Sequence, residues 1–88
     1  MINKYPLTNT ISSKLALDSA PPGTRVRVTE LPPGRHRSGR LANLGIGPGT
    51  ELEVLSVYPF RGPVIVRIDG NPVAIGRGLA RKITVETI

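Results

Sequence analysis

His36 stands between Arg35 and Arg37, with Arg40 three residues on, and these side chains form the densest chemically able cluster in the chain. An imidazole can hold a transition metal, but such a site needs several His, Cys or carboxylate groups converging. His36 is the only histidine, there is no cysteine, and the flanking guanidiniums repel a divalent cation. No metal site and no cofactor are assigned from these residues. Glu51 and Glu53 are two apart in a strand-like run and share one face, where paired carboxylates could hold a hard cation. The simpler expectation for them is a solvent-facing strand surface.

Catalytic chemistry is equally poorly supplied. Ser12, Ser13, Ser19, Ser38 and Ser56 have only His36 to share, and no G-x-S-x-G turn surrounds any of them, so no nucleophile is assigned and no enzyme is expected. Gly45-Ile46-Gly47-Pro48-Gly49 superficially resembles a phosphate-cradling loop. Such loops follow a strand and open a helix, whereas these glycines close a helix and open a strand. Their expected role is backbone punctuation.

Binding is the better-supplied alternative. The net charge is +6, and Arg35, Arg37 and Arg40 concentrate it in one segment. A solvated loop, an acidic protein or anionic membrane surface, and nucleic acid are three destinations for such a run. Nucleic acid is disfavoured because readers of RNA place aromatic platforms on a sheet, and the only aromatics are Tyr5, Tyr58 and Phe60. Tyr58-Pro59-Phe60-Arg61-Gly62-Pro63 places two rings and an arginine at a hairpin tip, residue types that anchor protein interfaces. A ring could instead fold back to plug the core, and the expectation is one ring inward and one outward.

The elements that must carry these residues follow from Pro-Gly punctuation and period. Proline and glycine recur at 21–23, 32–34, 47–49, 61–63 and 70–72, leaving short apolar segments between. Val26 and Val28 share one strand face, and Val64, Val66 and Ile68 share another. Leu52 and Val54 lie in one register and Leu55 and Val57 in the other, which predicts a bulge or tight curvature between them. The Arg35 to Gly45 insertion carries a short helix, with Ser38 able to cap its start and Leu41 and Leu44 on one core-facing side. Gly45 supplies the left-handed stop, Ile46 folds back toward Leu41, and Pro48-Gly49 turns into the strand Thr50 to Val54. The expected fold is mainly β: a small five-stranded barrel with one short helix inserted between its first two strands.

With 88 residues the chain supports a single modest core. Residues 1–14 are expected to be a loosely ordered segment, apart from a turn near Ser12 to Leu17, and 15–88 the barrel domain. No apolar run is long enough for a signal peptide or a membrane span, and the lack of cysteine suits a reducing compartment. A cytoplasmic protein is expected.

The order Pro22-Gly23, strand, loop, Arg40-Leu41…Leu44-Gly45…Pro48-Gly49, strand resembles the FeoA family, whose domains are SH3-like barrels. The resemblance continues through the Tyr58 to Pro63 loop, a strand ending at Asp69-Gly70 and a last strand near Lys82 to Glu86, covering about Leu15 to Val85. It implies a non-enzymatic accessory domain of bacterial ferrous-iron uptake that docks on the cytoplasmic GTPase region of the FeoB-type transporter. Arg35, Arg37, Arg40, Tyr58, Phe60 and Arg61 are then the candidate partner-binding residues, and an anionic membrane surface is a second candidate partner. The alternative is a basic RNA- or ribosome-associated barrel. Relatives carry acidic residues in a short helical turn before the last strand, whereas Gly76-Arg77-Gly78-Leu79-Ala80-Arg81 stands here. Its two glycines predict a mobile segment.

Overall fold

A computed structural model describes residues 14–88. The expectation of a loose segment over residues 1–14 lies outside them, save for Lys14. Six strands form one antiparallel sheet: β1 (Lys14–Ala16), β2 (Arg25–Glu30), β3 (Glu51–Val57), β4 (Val64–Ile68), β5 (Asn71–Ile75) and β6 (Thr84–Thr87), in the order β1-β6-β2-β3-β4-β5. Helix α1 (Arg35–Asn43) joins β2 to β3, and the short helix α2 (Arg77–Ala80) joins β5 to β6. The small β barrel is as expected, but with six strands rather than five. The additional one, Lys14–Ala16, is too short to show a period, and it forms because β6 offers it an edge, pairing Leu15 with Val85.

Strand alternation places the core. Val26 and Val28 of β2, Leu52 and Val54 of β3, Val64, Val66 and Ile68 of β4, Ile75 of β5 and Val85 of β6 are all buried, and Leu17, Leu41, Ile46 and Ile83 from outside the strands join the same cluster. No polar or charged residue is buried among the described residues. The expected break in β3 is present: its pairing with β4 shifts register between Val54 and Ser56. A second shift lies between Val28 and Glu30 in the β2–β6 pairing, and such bulges bend strands so that a sheet this small can curl. Asp69 and Gly70, with φ of 50° and 83°, make the tight two-residue turn from β4 to β5.

The helix stops at Gly45 through a specific bonding pattern. Gly45 has φ 86°, its N–H donates to the Ala42 carbonyl at 3.0 Å, and the Ile46 N–H donates to the Leu41 carbonyl at 2.9 Å. That is the paired bonding of a Schellman ending, and Ile46 and Leu41 are both fully buried. Pro48-Gly49 then turns, and the Gly49 N–H reaches the Val28 carbonyl at 2.7 Å, tying the turn to β2.

Two expectations about this helix need correction. Leu44 is 42% exposed, because it is the C-cap residue and only Leu41 faces the barrel. Ser38 is inside the helix, which begins one turn earlier, after Gly34. Its hydroxyl donates back to the Gly34 carbonyl at 3.0 Å rather than capping a free N–H.

Candidate docking surface

Charge is divided sharply between the sheet and the helices. On the sheet, Arg25 pairs with Glu51, Arg27 with Glu51 and Glu86, and Arg67 with Glu53; Arg77 of α2 pairs with Asp18 at 3.2 Å. Hydrogen bonds to Glu51 and then Glu86 hold the Arg27 guanidinium above its ordinary range. Glu51 and Glu53 are thereby engaged by separate arginines. Among the described residues no three His, Cys or carboxylate groups gather to hold a metal.

Helix α1 and the residues just after α2, Arg81 and Lys82, carry cations without this compensation among the described residues. No acidic residue occurs between Leu31 and Thr50 or between Gly70 and Val85. Arg35, His36, Arg37 and Arg40 are exposed on α1, and none of their side chains makes a salt bridge among the described residues. The basic run is therefore helical surface rather than loop. A shallow cleft of about 380 Å³ lies between the two helices, with Arg37 and Arg40 on one wall, Arg81 and Lys82 on the other, and Gly76, Gly78 and Leu79 between them.

The hairpin tip between β3 and β4 is the second exposed feature. Phe60 is 99% exposed and Tyr58 is 51% exposed, so neither ring plugs the barrel. The expected inward ring is absent because Leu17, Ile75, Ile83 and their neighbours already fill the interior with aliphatic side chains. The Gly62 N–H donates to the Pro59 carbonyl at 3.0 Å, closing a turn in which Phe60 and Arg61 have φ of 58° and 64°. Left-handed backbone costs a residue with a Cβ about 1–2 kcal/mol, so two in succession are a local strain the core does not require. Gly62 is obligatory for a different reason, since a Cβ there would lie 2.7 Å from that of Tyr58.

Arg77 holds this tip. One guanidinium nitrogen donates to the Tyr58 carbonyl at 2.7 Å and to the Gly62 carbonyl at 3.0 Å, while its Nε reaches Asp18 at 3.2 Å in the 3-10 turn Leu17–Ser19. The segment expected to be mobile is thus a short helix. Leu79 and Ala80 N–H groups donate to the Gly76 carbonyl at 3.1 and 2.9 Å, and Ala80 is fully buried. Packing of Ala80 and the three Arg77 bonds outweigh the propensity cost of Gly78. Sequence reading overlooked Arg77, Arg81 and Lys82 as surface-forming residues. The acid-free stretch from Gly70 to Val85 was the available signal for the last two; nothing local announces the reach of Arg77 to the hairpin.

The structure thus places Arg37 and Arg40 at the helix-lined cleft, Arg35 beside Arg40 in a separate shallow depression, and Tyr58, Phe60 and Arg61 at the tip. Residues 15–87 match the model of the FeoA domain. A relative from Methanocaldococcus jannaschii, named "Putative Fe(2+) transport protein A", is 42% identical over 64 residues, which is 73% of this chain and 76% of that protein. The crystal structure of an iron uptake regulatory protein (FeoA) superposes with a TM-score of 0.79 at 31% identity, over 85% of this chain and 99% of that one. A manganese-dependent transcriptional repressor has a similar barrel, with a TM-score of 0.78 at 25% identity, over 85% of this chain and 42% of the repressor.

Proposed function

The chain belongs to the FeoA family, and from that premise we propose that it is a non-enzymatic accessory domain of ferrous-iron uptake that docks on the cytoplasmic part of an FeoB-type transporter. The observation that carries the reading is the strained, outward-facing tip. Phe60 is 99% exposed on a turn whose left-handed residues the core does not need, and Arg77 fixes that turn from a second element. Strain kept at an exposed site points to use of that site. A preorganised aromatic loses little conformational freedom when it enters a partner pocket.

Tyr58 and Phe60 are the anchors in this reading. Arg61 beside them and Arg35, Arg37 and Arg40 on α1 make the charged rim, where single cations contribute mainly to association rate and orientation. The iron is cargo of the transport system, and the domain acts on its partner's assembly or activity.

The experiment is a pull-down of the purified domain against the soluble GTPase region of the transporter encoded in the same genome, with Phe60→Ala as the control. Capture of wild type and loss with Phe60→Ala is the expected result. Equal capture of both proteins, or none of either, would remove the reading.

A further inference from the structure

Beyond protein docking, we propose that the cleft between the two helices is a binding site for the phosphate headgroups of an anionic phospholipid surface. Four cations from two elements converge there, Arg37 and Arg40 from α1 with Arg81 and Lys82 from the end of α2. Among the described residues no carboxylate lines it. Arg40 also borders a second shallow depression with Arg35 and His36, so the positive surface continues along the outer side of α1.

The kind of anion follows from what the cleft has and lacks. Guanidinium forks suit phosphate oxygens, and a cluster of four to eight cations is the usual size of an anionic-lipid patch. Among the described residues no aromatic ring lines the cleft, so bases of a single-stranded nucleic acid find nothing there to stack on. No polar side chain is buried among the described residues, so these give the cleft no recessed donor to single out one small anion. Its cations are exposed and spread over two walls, an arrangement that matches a field of many monoanions better than a single enclosed ligand. An exposed patch of this kind gives reversible, salt-sensitive attachment rather than insertion.

The test is flotation of the 88-residue chain with two kinds of vesicle, phosphatidylcholine alone and an equal mixture of phosphatidylcholine and phosphatidylglycerol. The protein should float with the mixed vesicles, stay behind with phosphatidylcholine alone, and be released as salt is added. Each cation near such a surface is worth on the order of a fivefold change in partitioning, so Arg81→Gln with Lys82→Gln should weaken it by roughly 25-fold. The same double variant should keep its melting temperature and its capture by the transporter's GTPase region. Phe60→Ala should lose that capture and still float, which separates failure of the lipid site from failure of the docking reading. Arg37→Gln, from the opposite wall, provides an independent loss of flotation.

Three results overturn the proposal. One is equal flotation with both vesicle types. Another is undiminished flotation of the Arg81→Gln, Lys82→Gln variant. The third is release from mixed vesicles by polyuridylate or polyglutamate at charge concentrations far below that of the lipid, which would assign the cleft to RNA or to an acidic protein segment.

Discussion

The guanidinium of Arg77 lies 2.7 Å from the carbonyl oxygen of Tyr58, nineteen residues away in the chain, so the shape of the β3–β4 tip is set partly by a side chain that follows β5. Removing it should loosen the tip before the barrel. Arg77→Ala is expected to cost about 1–3 kcal/mol of stability, from two lost carbonyl bonds and an unpaired Asp18. The amides of Tyr58 and Gly62 should exchange faster with solvent by more than this global change accounts for. Unchanged relative protection at those amides would show that the turn holds its own shape.

Docking energy should be concentrated in the rings. Phe60→Ala or Tyr58→Ala is expected to weaken binding to the transporter's GTPase region by about 2 kcal/mol or more, and any single arginine change by less. Titration calorimetry across the variants at two salt concentrations checks both the ranking and the weak salt dependence that aromatic anchoring implies. Comparable decrements from Arg35, Arg37 and Arg40, each strongly dependent on salt, would point to a polyanion instead.

Strain and function should trade off at the tip. Asn-Gly suits a turn with two left-handed residues, so Phe60→Asn with Arg61→Gly is expected to stabilise the domain by about 1 kcal/mol. The same variant should dock poorly. Thermal denaturation gives the first quantity and the pull-down the second; a destabilised variant would mean that the present backbone is already relaxed.

The two leucines of α1 should behave differently. Leu41→Ala is expected to cost about 2–5 kcal/mol, because Leu41 is fully buried. Leu44→Ala, at an exposed C-cap, should stay within about 0.5–1 kcal/mol. Gly45→Val should destabilise by at least about 1–2 kcal/mol through its left-handed φ of 86°. Urea titration of the three variants reads the order directly.

Metal affinity of the isolated domain is expected to be weak. With one histidine, no thiol and Glu51 and Glu53 engaged by arginines, Fe²⁺ or Zn²⁺ lacks a four-ligand site. Anaerobic calorimetry should show no stoichiometric sub-micromolar event. A tight site that vanishes with His36→Ala would refute this.

Much of the scaffold is legible in residue order because it rests on short-range rules. The Gly45 stop, the return of Ile46 to Leu41, the alternating valines of β2 and β4 and the break after Val54 each depend on neighbours within a few positions. What stays illegible depends on distant partners. Lys14–Ala16 is a strand only because β6 is beside it, Leu44 faces out at the C-cap while Leu41 is the helix's buried residue, and neither ring of the tip turns inward because aliphatic residues from other elements fill the core. The cleft combines residues near 40 with residues near 80, so its charge could be counted in the sequence but not located.

The pairing of β1 with β6 carries a consequence for how this barrel can be used as a part. Lys14 and Glu86 are cross-strand partners, so the chain enters and leaves the domain at adjacent points on one edge. A unit with neighbouring entry and exit can be spliced into a host loop, or added behind another module, without threading its sheet or disturbing its interior. The helix-lined cleft and the tip are built by residues 37 to 82, inside the span that this splice encloses. A fusion that grafts residues 14–88 into a surface loop of an unrelated carrier should therefore fold, and should bring both surfaces with it intact.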